Sequence, residues 1–255
     1  VLLYDKEGSE KGWLGNLKFA YQLAQKKFDL VIHLHATNRM HFVTWLAGIP
    51  YRVGWARRLP WTLTHRFQDE KRKGKKHEAA YNFELLAPLE ILAPQSLQAY
   101  FPLNKPSQSS LEKLLEYKAI SHSEPWIVLC PGASCPSKRW PPSRFAQLAE
   151  AIAGKYEVEL ILIGSASDKK RIQQIQKHCR VSLHDFSGQL TLGMLAVLLK
   201  RAKMLISNDS GPVHIADAVG TPVLSLFGRN QPGLSPKRWG PLGKKSEYMI
   251  KDIGC

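Results

Sequence analysis

The run Asn208 to Gly228, NDSGPVHIADAVGTPVLSLFG, leaves little freedom of fold. Ala202–Ser207 before it and Thr221–Phe227 at its end are apolar runs of strand length. Between them a helix of two to three turns is expected. Ser210 stands at its N-cap position, Pro212 lies in its first turn, and Gly220 ends it. Strand, tight polar turn, short helix and strand make a βαβ unit, so the two strands are expected to be parallel. The turn falls at the carboxyl end of the first strand, where open α/β sheets bind ligands. Free N–H groups at the helix start favour an anion, and Gly211 permits close backbone approach. Asp209 repels phosphate and suits sugar hydroxyls instead, whereas His214, one turn in, can donate to a phosphate oxygen. Ordinary capping would also explain Ser-Gly-Pro, so this run alone does not decide the matter.

A second turn of the same kind follows Trp126–Cys130, a buried-strand pattern. It presents Ser134 and Lys138, with prolines on both sides. A lysine there is a point charge suited to phosphate. A third turn, Gly164-Ser165-Ala166, follows the strand pattern Tyr156–Ile163. Three Gly- and Ser-bearing turns at one sheet edge form a candidate nucleotide crevice. No GxGxxG stands at a strand–helix turn and GxxxxGK[ST] is absent, which argues against a dinucleotide enzyme or a P-loop NTPase.

Upstream, a strand tail is expected at Val1–Tyr4, a helix at Asn16–Lys27, a strand at Asp29–His35, helices at Met40–Ala47 and His77–Leu89, and a short strand at Tyr51–Gly54. The turn Ala36–Arg39 should face ligand by the same crevice rule. His33 is expected to be structural. Residues 106–124 are read as a linker in a Pro-, Ser- and Gln-rich region that carries one short helix at Leu111–Tyr117, between a domain at 1–105 and one at 125–255. The tail from Arg229 is rich in Gly, Pro and Lys. Strands alternate with helices, so the class is α/β with parallel sheets.

The net charge of +15 implies anionic partners. Basic residues concentrate between Arg52 and Lys76, with Trp55 and Trp61 among them. Lys71–Lys76 alone reads as a solvated loop. Arg beside Trp suits a membrane interface or a sugar face as well as bases. No apolar run approaches the roughly 20 residues of a membrane span, and the N-terminus lacks a signal-peptide pattern. The four cysteines form no CxxC and have no zinc-spaced histidines, and they read as reduced cytoplasmic thiols.

The runs PGASCPSKRWPPSRFAQLA, LILIGSASD and SNDSGPVHIADAVGTPVLSLFG resemble the ADP-heptose:lipopolysaccharide heptosyltransferases of glycosyltransferase family 9. The upstream runs KKFDLVIHLHATNR and WLAGIPYRVGW are similar to the family's first domain. GSA at Gly164–Ala166 is nearer the second heptosyltransferase type than the first. The resemblance implies a GT-B fold, two Rossmann-like domains facing a cleft, here with the first incomplete. It implies an inverting transfer of heptose from ADP-heptose to the lipopolysaccharide inner core. Ser134 and Lys138 would touch the diphosphate, Leu190 would pack on adenine, and Asp209 would bind the donor sugar. Ser210, Gly211 and His214 would stabilise the leaving ADP. Asn38, Arg39, Arg57 and Arg58 are the acceptor-side candidates. No cofactor or metal is implied beyond the donor substrate.

The family's general base lies in a Gly-Asp turn near the N-terminus. No such turn precedes Asp29, and Asp5 stands elsewhere in the pattern, so the catalytic residue stays unassigned. The ends suggest a fragment or a divergent gene product. The expected partners are a nucleotide-sugar donor and an anionic glycolipid, met at the inner face of a bacterial inner membrane without nucleic acid. A non-catalytic nucleotide-sugar binder is the alternative. A nucleic-acid binder ranks last, because no recognised motif accompanies the charge.

Overall fold

A computed structural model describes residues 2–5, 8, 10–57, 59–120 and 123–250. The chain divides into two compact units, Val1–Gln95 and Ser96–Cys255.

In the first unit α1 (Gly12–Gln25), β1 (Leu30–His33), α2 (Asn38–Leu46), β2 (Tyr51–Trp55), β3 (His65–Phe67) and α3 (Glu78–Glu84) follow in order. Among the described residues the strands form a parallel sheet in the order β1-β2-β3. Alternation along β1 sends Val31 to one face and Leu30 and Ile32 to the other. Val31 meets Phe19, Ala20 and Leu23 of α1 and Val43 of α2. Leu30 and Ile32 meet Val53, Trp55, Tyr81 and Leu85. The strand tail expected at Val1–Tyr4 does not form: residues 2–5 are irregular, and Val1 lies outside the described residues.

His33 is buried, as its expected structural role requires. Its Nε2 lies 3.0 Å from the Thr44 hydroxyl and its ring stands edge-on to His41 at 4.6 Å. Thr44 Oγ1 lies 2.9 Å from the Met40 carbonyl. The hydroxyl donates there and so accepts from His33 Nε2–H, which places the proton of the neutral ring on Nε2. Burial, with His41 and Arg52 nearby, lowers the His33 pKa from 6.5 to about 4.

The second unit carries α4 (Lys105–Tyr117), β4 (Trp126–Cys130), α5 (Pro142–Ala153), β5 (Glu159–Leu162), α6 (Lys169–His178), β6 (His184–Asp185), α7 (Leu192–Arg201), β7 (Met204–Asn208), α8 (Gly211–Val219), β8 (Val223–Phe227), α9 (Pro236–Trp239) and β9 (Ser246–Ile250). The parallel sheet runs β6-β5-β4-β7-β8-β9. Counted from β4 this is the doubly wound order 3-2-1-4-5-6, whose direction reverses between β4 and β7. Val128, Ile161 and Leu205 face a core with α4, α7 and α8. Leu129, Leu160 and Ile206 face a second core with α5 and α6. Two-sided burial explains why these strands read as near-continuous apolar runs.

Two readings of the second unit change. The stretch 106–124, expected as a linker, contains most of α4, and Leu111 and Leu115 are fully buried in the second unit's core. Its polar composition belongs to the outer face of an amphipathic helix, capped by Asn104, whose side chain accepts from Ser107 N–H at 2.8 Å. The tail also continues the sheet, with β9 pairing parallel to β8. Asp217 secures that return by accepting from Gly243 N–H at 3.1 Å and Ser246 Oγ at 2.6 Å.

Candidate nucleotide crevice

The reversal between β4 and β7 places the turns after these strands side by side, with the turn after β5 beside them. One amide locks the first two together. Asn208, fully buried at the end of β7, accepts from Trp140 N–H at 3.0 Å and donates to the Pro131 carbonyl at 2.8 Å. It thereby holds both ends of the β4–α5 loop. Gly228, just past β8, lies against the same loop: a Cβ there would stand 2.3 Å from the Ser137 carbonyl oxygen.

The turns enclose a crevice of about 500 Å³, within the usual size of small-molecule sites. Ile163, Leu190, Leu192, Leu195 and Ile215 give it an apolar wall. Ser134, Arg139, Ser165, Ser167, Asp168, Ser210 and Gly211 supply polar groups. Asp168 binds the turn after β5, accepting from Ser165 N–H at 2.9 Å and from Ser165 Oγ at 2.6 Å. The turn after β4 passes so close that a Cβ on Gly132 would lie 2.7 Å from Asp168 Oδ2. Arg139 braces its own loop by donating from Nε to the Ala133 carbonyl at 3.0 Å.

The start of α8 opens into this crevice. Ser210 sits at the N-cap position with extended backbone, but its hydroxyl lies 3.0 Å from Ser207 Oγ and does not cap the helix. Helix-start N–H groups with no side-chain cap are available to an anion. A Cβ on Gly211 would meet nothing within 4 Å, so the backbone here borders open space. Gly220 ends the helix at φ +81°. Thr221 N–H bonds the Ala216 carbonyl at 2.9 Å and Gly220 N–H the Asp217 carbonyl at 3.1 Å, the two bonds of a Schellman motif.

Of the donor-side candidates, Ser134, Leu190, Ser210 and Gly211 line the crevice. Lys138 and Asp209 do not line it but pair with each other, Nζ to Oδ2 at 2.7 Å, both largely buried. This pairing joins the β4 and β7 turns and offsets an acidic charge next to Ser210. His214 lies in the first turn of α8, outside the crevice lining. Arg139, Asp168 and Asn208 were not anticipated as site residues. Arg139 follows Lys138 in the same loop, and the Ser-x-x-Asp capping box at Ser165 could have revealed Asp168. Asn208 gave no signal, because its role depends on partners 68 and 77 residues away. Burial raises the pKa of the Cys130 thiol, whereas a hydrogen bond with Ser137 lowers that of Cys135. Among the described residues no group of His, Cys, Asp and Glu is placed to hold a metal ion.

In the first unit, Asn38 and Arg39 are exposed at the start of α2, beyond the carboxyl end of β1. Arg57 follows β2 and lies 3.8 Å from Asp69. Arg58 lies outside the described residues. Lys71, read as part of a solvated run, is instead buried. Its Nζ donates to the Leu34 carbonyl at 3.0 Å, Glu78 at 2.5 Å and Asn82 at 3.0 Å, and stands 4.8 Å from the Trp55 ring centroid. Four partners compensate its desolvation and tie the loop after β1 to α3.

A doubly wound parallel sheet with a helix-start crevice at its switch point is the arrangement in which open α/β proteins hold their ligands. The sequence matches glycosyltransferase family 9 (heptosyltransferase) over residues 16–255, and the chain belongs to that family. Its enzyme class is that of the glycosyltransferases. It is 29% identical to lipopolysaccharide heptosyltransferase 2 of Escherichia coli K12 over 248 residues, covering 91% of this chain and 68% of that protein. It is 27% identical to lipooligosaccharide heptosyltransferase 2 of Haemophilus ducreyi, over 89% of this chain and 68% of the relative. A family 9 glycosyl transferase structure from Veillonella parvula superposes with a TM-score of 0.86 at 22% identity, covering 100% of this chain and 72% of that one. The E. coli ADP-heptose lps heptosyltransferase II structure gives 0.77 at 24% identity, over 94% and 73%. The α/β fold expected from the resemblance to this family holds.

Proposed function

We propose that the chain transfers heptose from ADP-heptose to the inner core of lipopolysaccharide, with inversion at the anomeric carbon. The observation that carries this reading is the meeting of the α8 start, the Lys138–Asp209 pair and an apolar wall at the sheet's switch point. Adenine packs on Leu190 and its neighbours, and the diphosphate lies toward the Ser210 and Gly211 amides and Ser134. In a direct displacement the acceptor hydroxyl attacks the anomeric carbon as the bond from that carbon to the β-phosphate oxygen breaks, and the hydroxyl proton passes to a general base. Negative charge then grows on that phosphate, where fixed N–H dipoles and the Lys138 ammonium are worth most. Asp209 turns from Lys138 to the sugar hydroxyls as the phosphate takes over the ammonium. Asp168, as a carboxylate, suits hydroxyls and not phosphate.

The acceptor is an anionic glycolipid, met by the basic first unit at the cytoplasmic face of the inner membrane. No helix among the described residues is long and apolar enough to cross a bilayer, so contact with lipid is peripheral in this reading. Calorimetric titration with ADP tests the donor half. Lys138→Ala and Asp209→Ala should each weaken binding of ADP-heptose, Lys138→Ala that of ADP as well. Unchanged affinity in both variants would reject the site. Transfer is read from a gain of one heptose residue in the acceptor's mass.

A further inference from the structure

Helix α1 buries Gly15, Phe19, Ala20 and Leu23 against its own unit. Its opposite side is not polar, as a solvated helix face would be. Trp13 is 61% and Leu14 80% exposed, with Leu17 and Tyr21 continuing the stripe at helical spacing. Trp13 begins a chain of rings across the surface. Its centroid is 5.3 Å from Phe42 of α2, Phe42 is 5.6 Å from Trp45, and Trp45 is 5.2 Å from Trp61 in the β2–β3 connection. Trp45 and Trp61 are 41% and 53% exposed. Three exposed tryptophans in one continuous ladder exceed the scattered apolar residues any surface carries.

The charges within the two helices are of one sign, and Glu10, the acid next to Lys11, is buried. Neither α1 nor α2 contains an acidic residue; their charged side chains are Lys18 and Arg39, and Lys11 stands at the N-cap of α1. Tryptophan and leucine on an exposed helix face, with lysine and arginine but no acid in the same two helices, is the composition that seats in the headgroup layer of an anionic bilayer.

We infer that the Trp13–Phe42–Trp45–Trp61 ladder docks the first unit on an anionic phospholipid surface. The indoles enter the interface while Lys11, Lys18 and Arg39 meet phosphates. This deepens the membrane reading above and rests on it, but it is independent of the donor crevice.

The test is co-sedimentation of the whole chain with vesicles of phosphatidylethanolamine and phosphatidylglycerol, with brominated lipid as a tryptophan quencher. The unaltered chain should bind, its fluorescence should be quenched, and binding should weaken with salt and on vesicles of phosphatidylcholine alone. Trp13→Ser/Trp45→Ser/Trp61→Ser should bind at least about tenfold more weakly. Tyr117→Ser, an exposed aromatic change in α4, should bind normally. ADP-induced thermal stabilisation of each variant checks that it is folded. Equal vesicle binding by the triple variant overturns the assignment of this face but leaves the membrane reading standing. No vesicle binding by the unaltered chain overturns both. Concentration-dependent dimerisation that the triple substitution abolishes, without vesicle binding, assigns the ladder to a second copy and also overturns the inference.

Discussion

Asn208→Ala should damage stability and ligand affinity together. Asn208 is fully buried, and its amide makes both hydrogen bonds that hold the ends of the β4–α5 loop. A typical hydrogen bond contributes about 1 kcal/mol net, and a buried partner left unsatisfied costs about 1–3 kcal/mol. Truncation strands the Trp140 N–H and the Pro131 carbonyl. Allowing for partial access of water to half-buried Trp140, the loss is about 2–4 kcal/mol. At roughly 2–4 °C per kcal/mol for a unit of this size, melting should fall by about 5–15 °C. The loop carries Ser134 and Lys138, so ADP affinity should fall although Asn208 does not line the crevice. Asn208→Asp keeps an acceptor for Trp140 but faces the Pro131 carbonyl with oxygen and buries a charge, so it should be no milder. Urea unfolding and ADP calorimetry on both variants make the measurement. A loss under about 0.5 kcal/mol with unchanged ADP affinity would refute the argument.

Three further outcomes follow from other parts of the chain. The unfolded chain protonates His33 near 6.5, whereas the folded ring resists until about 4. The unfolded state therefore binds more protons in that window, and stability should fall as pH drops from about 6.5 to about 4, by on the order of 3 kcal/mol; pH-dependent urea unfolding should show the slope, and His33→Asn should flatten it. Lys71→Met should cost about 3–5 kcal/mol, because it leaves the Glu78 carboxylate without its buried partner; Lys71→Met/Glu78→Leu should recover part of that loss in denaturant unfolding. Gly132→Ala places a Cβ 2.7 Å from Asp168 Oδ2, so the turn or the carboxylate must shift, and calorimetry should show weaker ADP binding with a smaller change in stability.

The second unit was legible in the sequence because its signals are local. Apolar runs buried on both faces announce parallel strands, and Pro212 and Gly220 bracket α8 at the positions expected. The turns after β4, β5 and β7 were likewise marked by Gly and Ser. What escaped depends on distant partners. Asn208 reads as a polar residue at a strand end until the fold brings Pro131 and Trp140 to it. Lys71 reads as one more cation in a basic run until Leu34, Glu78, Asn82 and Trp55 surround it. Of α4 only Leu111–Tyr117 read as helix; its polar first half, Lys105–Ser110, and its place in the core did not show, because only Leu111 and Leu115 face the core fully buried. The Lys138–Asp209 pair was also missed: each residue was given a ligand of its own, and the fold gives them to each other.

Hydrogen exchange with and without ADP tests the central claim most directly. Protection should appear in residues 131–139, 164–168 and 209–214, the three turns around the crevice, and should diminish in Lys138→Ala. Binding of ADP with protection confined to the first unit, or with none in these turns, would contradict the account.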